Sequence, residues 1–316
     1  MDSSSAARMD VYDSIRPLAI ISRIFGIFPV ANTRARPYTR KWIFSFTAPL
    51  LYVVYNIFWH LVLKNTFFNA DISSIIDTLD YVNINLTVII IYIVVQVNFQ
   101  RICNLMSKLH DFDQNMAGSE TVNRKMRKIS MISLGVFFII ILAALFLHVL
   151  NFRVGWHWEI FTGLILITSL STYLVLAQAV FFSESIRLRF SLLNHRIRDT
   201  VSTLTVAFSA PNIPIRKFPQ ARLYSLSTSF DDLVDVVSSV NTCYSLCLAT
   251  LYLHFLMDVV STGAVHLNNS NEQLPVVLYS IAVESANALL LILATCIMDG
   301  LLQEVRYIIT GQSRKF

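Results

Sequence analysis

His254 and Asp258 stand four residues apart inside an apolar run, a spacing that places both on one face of a helix. Glu284 and Asn287, three apart in the last long apolar run, share a face in the same way. An imidazole beside a carboxylate, and a carboxylate beside an amide, can hold a polar solute by hydrogen bonds and charge. Ionisable groups within apolar helices are costly and mark functional sites by default. With Asp80, at the start of another apolar run, these residues form the candidate ligand-binding set. Asn83, Gln96 and Asn98 in the same run as Asp80, and Gln178 further on, read instead as interhelical hydrogen bonds, worth on average about 0.6 kcal/mol each. For Asp258 and Glu284 both readings stand, because a carboxylate in hydrocarbon needs either a partner or water.

Other chemistry finds no support. The sequence carries no phosphate-binding glycine loop, dinucleotide motif, HExxH pair or nucleophile elbow, so no enzyme and no cofactor is expected. His60, His148, His157 and His266 lie near aromatic residues such as Tyr81, Trp156, Trp158, Tyr252 and Tyr279, but no two histidines have metal-ligand spacing on one helix. These aromatics read as an interfacial belt. Cys103, Cys243, Cys247 and Cys296 fall in or beside apolar segments and are expected to be buried, free thiols.

The elements that must position these residues follow from composition. Of 316 residues, 55% are hydrophobic and 14% charged, too few charges to cover a soluble protein of this size. With 8 Gly and 8 Pro there are few tight turns, which favours long helices. The fold expected is all-α, a polytopic transmembrane bundle. Six runs can cross a bilayer: Trp42–Leu63, Tyr81–Phe99, Ile129–Leu150, Trp158–Phe182, Val240–Thr262 and Pro275–Met298. A shorter apolar stretch, Leu18–Val30, is interrupted by Arg23 and reads as a helix on the membrane surface. All but two of the 25 Lys and Arg residues fall in alternate connections, which places the N-terminus of this multi-pass chain in the cytoplasm. Nucleic acid is not an expected partner, since the cations flank apolar runs instead of forming one basic-aromatic surface. Asn268-Asn269-Ser270 is a glycosylation sequon in an outer loop. Asn85-Leu86-Thr87 also matches but lies inside a span.

The expected organisation is a cytoplasmic segment at 1–41, spans one to four over 42–182, a cytoplasmic helical extension at 183–239, spans five and six over 240–298, and a tail at 299–316. Within the extension, Ile186, Phe190, Leu193 and Ile197 recur at helical spacing, as do Leu223, Leu226, Phe230, Leu233, Val237 and Val240. The fourth span is therefore expected to continue as helix and the fifth to begin early, with Pro211, Pro214 and Pro219 marking the break. A weaker stripe runs through Leu105, Leu109 and Phe112.

Several stretches resemble the insect chemoreceptor superfamily, and within it the gustatory receptors. They are Ser14-Ile15-Arg16-Pro17-Leu18 followed by Gly26-Ile27-Phe28-Pro29; Arg187–Arg198; and Leu226–Asn241. The resemblance implies a chemosensory, ligand-gated cation channel in which four like or unlike gustatory receptor subunits surround a pore, gated by a small-molecule tastant bound among the second to sixth helices. It also implies a seventh helix bearing a Thr-Tyr and Gln-Phe signature. Thr172-Tyr173 with Gln178 does not fit that signature, and the chain reaches Gly311–Phe316 where that helix would begin. The expectation is thus a chain lacking the pore-lining helix. Two alternatives follow, a non-conducting accessory subunit and a small-solute transporter. The second is disfavoured because the halves show no inverted repeat.

Overall fold

The computed structural model describes residues 9–28, 72–151, 156–209 and 220–268, together with helical residues scattered over 49–57 and 288–306. All regular structure among these residues is helical. The helices are α1 (Val11–Ile24), α2 (Ile72–Val97), α3 (Phe99–Asn115), α4 (Ser119–Asn151), α5 (Trp156–Ser209) and α6 (Gln220–Asn268).

Local signals account for the ends of α1. Asp10 caps its start, the carboxylate accepting from Asp13 N at 3.0 Å. At the other end Gly26 takes a positive φ of 68°, which only glycine adopts without strain. Ile27 N then reaches Ser22 O at 2.8 Å and Gly26 N reaches Arg23 O at 2.9 Å, the paired bonds of a Schellman stop. The helix thus begins well before the apolar stretch at Leu18. It does not lie apart as a surface helix, because Val11, Tyr12, Ile15, Leu18 and Ala19 are buried on the bundle, chiefly against α4.

The two long helices are continuous, as the apolar stripes require. α5 has 54 residues and α6 has 49, or roughly 80 and 75 Å at about 1.5 Å per residue. Both far exceed a hydrocarbon core of about 30 Å. Their stripes face each other: Ile186, Phe190, Leu193, Leu233 and Val240 are buried, and Phe190 meets Phe230 edge-on at 6.0 Å. The stripe in α3 is buried as well, at Leu105, Leu109 and Phe112. α5 is the central element, with nearly every side chain from Leu170 to Ile186 covered by α1, α2, α4 and α6. Pro211, Pro214 and Pro219 lie outside the described residues.

Among the described residues one stretch, Tyr224–Ser261, is long and apolar enough by itself to cross a membrane. Tyr81–Val97 and Phe99–Asn115 pass the same test as a pair bent by 58° at Asn98. The expected spans Ile129–Leu150 and Trp158–Phe182 fall within α4 and α5. Most of Trp42–Leu63 and Pro275–Met298 lies outside the described residues.

Gly118 joins α3 to α4 with a φ of 94°, and its carbonyl accepts from Thr121 Oγ1 at 2.7 Å. A Cβ there would also stand 3.4 Å from Leu192 Cδ1. Gly118→Ala is expected to cost about 1–3 kcal/mol, read as a lower melting temperature of the detergent-solubilised protein. A variant as stable as the parent would show that the turn can relax.

Candidate functional site

The site forms where α2 packs on α6. The one-helix-face spacing of His254 and Asp258 holds: His254 Nε2 lies 3.3 Å from Asp258 Oδ2. Asn83 on α2 completes a trio, its amide nitrogen 2.9 Å from His254 Nδ1. An amide N–H can only donate, so Nδ1 accepts and the proton of the neutral ring sits on Nε2, directed at the carboxylate. The same nitrogen lies 3.5 Å from Asp258 Oδ1 and 3.4 Å from His254 O. His254 is buried, while Asp258 keeps 23% of its side chain exposed. The carboxylate is thus a part of the trio that a solute can reach, and the buried imidazole and the partly buried amide fix its orientation.

Asn83 was expected as an interhelical hydrogen bond, and it is one. That bond also makes it the positioning partner of two site residues. The signal was available in principle, since Asn83 falls at the same depth as Asp80. Asp80 itself lies on α2, with its side chain outside the described set. Glu284 and Asn287 lie outside the described residues.

The opposite side of α2 carries a second polar chain. Tyr81 Oη donates to Asn56 Oδ1 at 3.0 Å, Asn56 Nδ2 donates to Tyr52 O at 2.8 Å, and Tyr52 Oη donates to Asn85 Oδ1 at 3.0 Å. Asn85 Nδ2 returns to Tyr81 O at 2.7 Å, closing the loop. Asn85 is therefore occupied and Thr87 is buried, in keeping with a sequon unavailable for glycosylation. Asn268 is the last residue of α6, with its side chain outside the described set. Of the remaining amides, Gln178 Oε1 accepts from Tyr244 Oη at 3.2 Å, Gln96 Nε2 donates to Gly26 O at 3.2 Å, and Asn98 Oδ1 accepts from Arg101 Nη1 at 2.9 Å.

No group of three histidine, cysteine or acidic side chains among the described residues could hold a metal ion. Cys103, Cys243 and Cys247 are buried free thiols, and burial pushes the Cys103 thiol up to about 12. Cys296 departs from expectation. It is exposed, on a helical turn whose Leu289 and Ile292 also face outward.

A second polar centre was not anticipated. Arg189 on α5 is fully buried and forks onto Asp113 of α3, with Nη2 to Oδ2 at 2.7 Å and Nε to Oδ1 at 3.0 Å. Nη2 also donates to Asn123 Oδ1 of α4 at 3.0 Å, and Nη1 donates to Ser185 O at 3.0 Å and to Ser185 Oγ. Asn123 Nδ2 donates to Asp113 Oδ2 at 2.8 Å and to Met9 O at 3.2 Å. A single guanidinium thereby ties α3, α4, α5 and the lead-in to α1. Its sequence signal is positional: Arg189 falls three residues after Ile186 and four before Leu193, inside the apolar stripe.

A protein-family model described as 7tm Chemosensory receptor matches residues 15–308, nearly the whole chain. Compared one by one, no curated protein matches it. The match takes in α1 from Ile15 onward, the α2–α6 trio, and Arg189 with Asp113 and Asn123. It carries a membrane context, a small-molecule ligand and a receptor or channel role in place of an enzyme's, and by it the chain belongs to the 7tm chemosensory receptor family.

Proposed function

We propose that the chain is a gustatory receptor subunit, a ligand-gated cation channel component that answers a small-molecule tastant. The observation that carries this reading is the Asn83–His254–Asp258 trio, a carboxylate with 23% of its side chain exposed, held between α2 and α6 by a buried imidazole and a partly buried amide. Asp80, Glu284 and Asn287 complete the pocket in this reading. Asp258 offers acceptors and negative charge, which suits a ligand rich in hydroxyl or ammonium donors. Binding opens the channel only if the ligand fits the open arrangement of α2 and α6 better than the closed one.

The topology proposed with it is multi-pass in the plasma membrane, with a cytoplasmic N-terminus and with the far parts of α5 and α6 as cytoplasmic extensions that assemble homo- or hetero-tetramers. The length of both helices supports this, since each outruns a bilayer. Asn268 is then an outer glycosylation acceptor.

The test is voltage-clamp recording of cells expressing the chain alone and together with other gustatory receptor subunits, while tastant panels are applied. A ligand-evoked cation current is expected. Ligand-driven uptake without current would replace the reading with a transporter. Suppression of a partner subunit's current would replace it with a non-conducting accessory role.

A further inference from the structure

α1 and α4 run parallel and in register. Leu18 N donates to Ser130 Oγ at 3.2 Å across 112 positions, and Phe25 meets Phe137 edge-on at 5.7 Å with the same separation. That register sets Arg16 level with Lys128 and Ile20 level with Ile132. At this level both helices change character together. Towards their N-termini the exposed side chains are Arg16 on α1 and Arg124, Lys125, Arg127 and Lys128 on α4. Beyond it they are apolar: Ile20 and Ile24 on α1, and Met131, Ile132 and Ile139 on α4.

The cations are poorly balanced. Glu120 pairs with Arg124 at 2.7 Å, and Glu184 lies 3.9 Å from Lys125. No carboxylate among the described residues is within ion-pair distance of Arg16, Arg23, Arg127 or Lys128. Arg23, two turns on from Arg16, has its Nε buried with no hydrogen-bond acceptor among the described residues. With a buried Nε lacking an acceptor and the like charge of Arg16 on the same helix, this edge is short of an anion.

We propose that the α1–α4 edge binds the phosphate headgroup of an anionic phospholipid, with Arg16, Arg23, Arg127 and Lys128 around the headgroup and the acyl chains along the Ile20, Ile24, Ile132 and Ile139 surface. Guanidinium forks match phosphate oxygens in pairs. A cationic cluster directly beside a lipid-facing helix face is the arrangement that anionic membrane lipids recognise. The continuity of cationic and apolar surface across two helices assigns the anion to a lipid, since a soluble phosphate would use only the first half.

The test uses the full chain reconstituted in phosphatidylcholine vesicles and titrated with a fluorescent polyphosphoinositide, with phosphatidylcholine bearing the same dye as control. Saturable binding of the first lipid alone is expected. At about fivefold for each cation removed, Arg16→Gln/Arg23→Gln weakens binding about twenty-five-fold, while Arg16→Lys/Arg23→Lys, which keeps the charges and loses the forks, falls between that variant and the parent. Lys128→Gln, on the exposed face of α4, weakens it about fivefold even if α1 were disturbed. Arg198→Gln, an exposed cation elsewhere on α5, leaves it unchanged. Undiminished binding by both glutamine variants would overturn the site, as would a patch insensitive to lipid because a second subunit covers it. Equal affinity for the water-soluble headgroup would overturn its assignment to a lipid.

Discussion

Arg189→Met is expected to cost about 3–5 kcal/mol, enough to remove most folded protein from the membrane fraction. The cost comes from what is left behind. Asp113 loses both oxygens of a forked ion pair in a buried setting, and Asn123 loses its acceptor contact. A carboxylate without a counter-charge in low dielectric is far more expensive than the pair was stabilising. Asp113→Leu is expected to be as damaging for the converse reason, with a guanidinium stranded against Ser185 and Asn123. The double variant Arg189→Met/Asp113→Leu removes both charges, so it is expected to recover a large part of the loss. Thermal unfolding followed by size-exclusion chromatography of the solubilised protein separates these cases. If the double variant melted at the sum of the two single losses, the two residues would not be acting as a pair.

Asp258→Asn is expected to raise the half-maximal tastant concentration at least tenfold, on the scale of about 1.5–3 kcal/mol for a hydrogen bond to a charged group. The substitution keeps shape and leaves an oxygen to accept from His254 Nε2. Stability should therefore move little, by about the 0.6 kcal/mol typical of an interhelical hydrogen bond. The two readouts part the readings. A response lost with folding intact assigns Asp258 to the ligand, whereas a melting shift with an unchanged concentration dependence makes the trio a helix clamp. Asn83→Leu serves as the complement. It removes the donor to His254 Nδ1 and is expected to lower both stability and response, because its role is to position the other two.

Helical class and the continuity of the long helices were legible in the sequence because each depends on local periodicity. An apolar stripe such as Ile186–Phe190–Leu193 dictates helix wherever it is buried, and burial of that stripe against Phe230 followed. The pairing of His254 with Asp258 was legible for the same reason, both residues lying on one helix. Two features depended on tertiary structure instead. Asn83 meets His254 across 171 positions, and Arg189 meets Asp113 across 76. No local spacing relates such residues, and an arginine within a basic run looks solvated until a carboxylate from another helix is brought to it. The parallel register of α1 and α4 is of this kind too: Arg23 within an apolar stretch suggested a surface helix, yet the apolar residues of α1 gain more by packing on α4. The sequence by itself determined the helices and their faces, because those are set within a few turns of chain. Which faces meet, and so which charges are partnered and which remain open to a ligand or a lipid, was decided only when the helices packed.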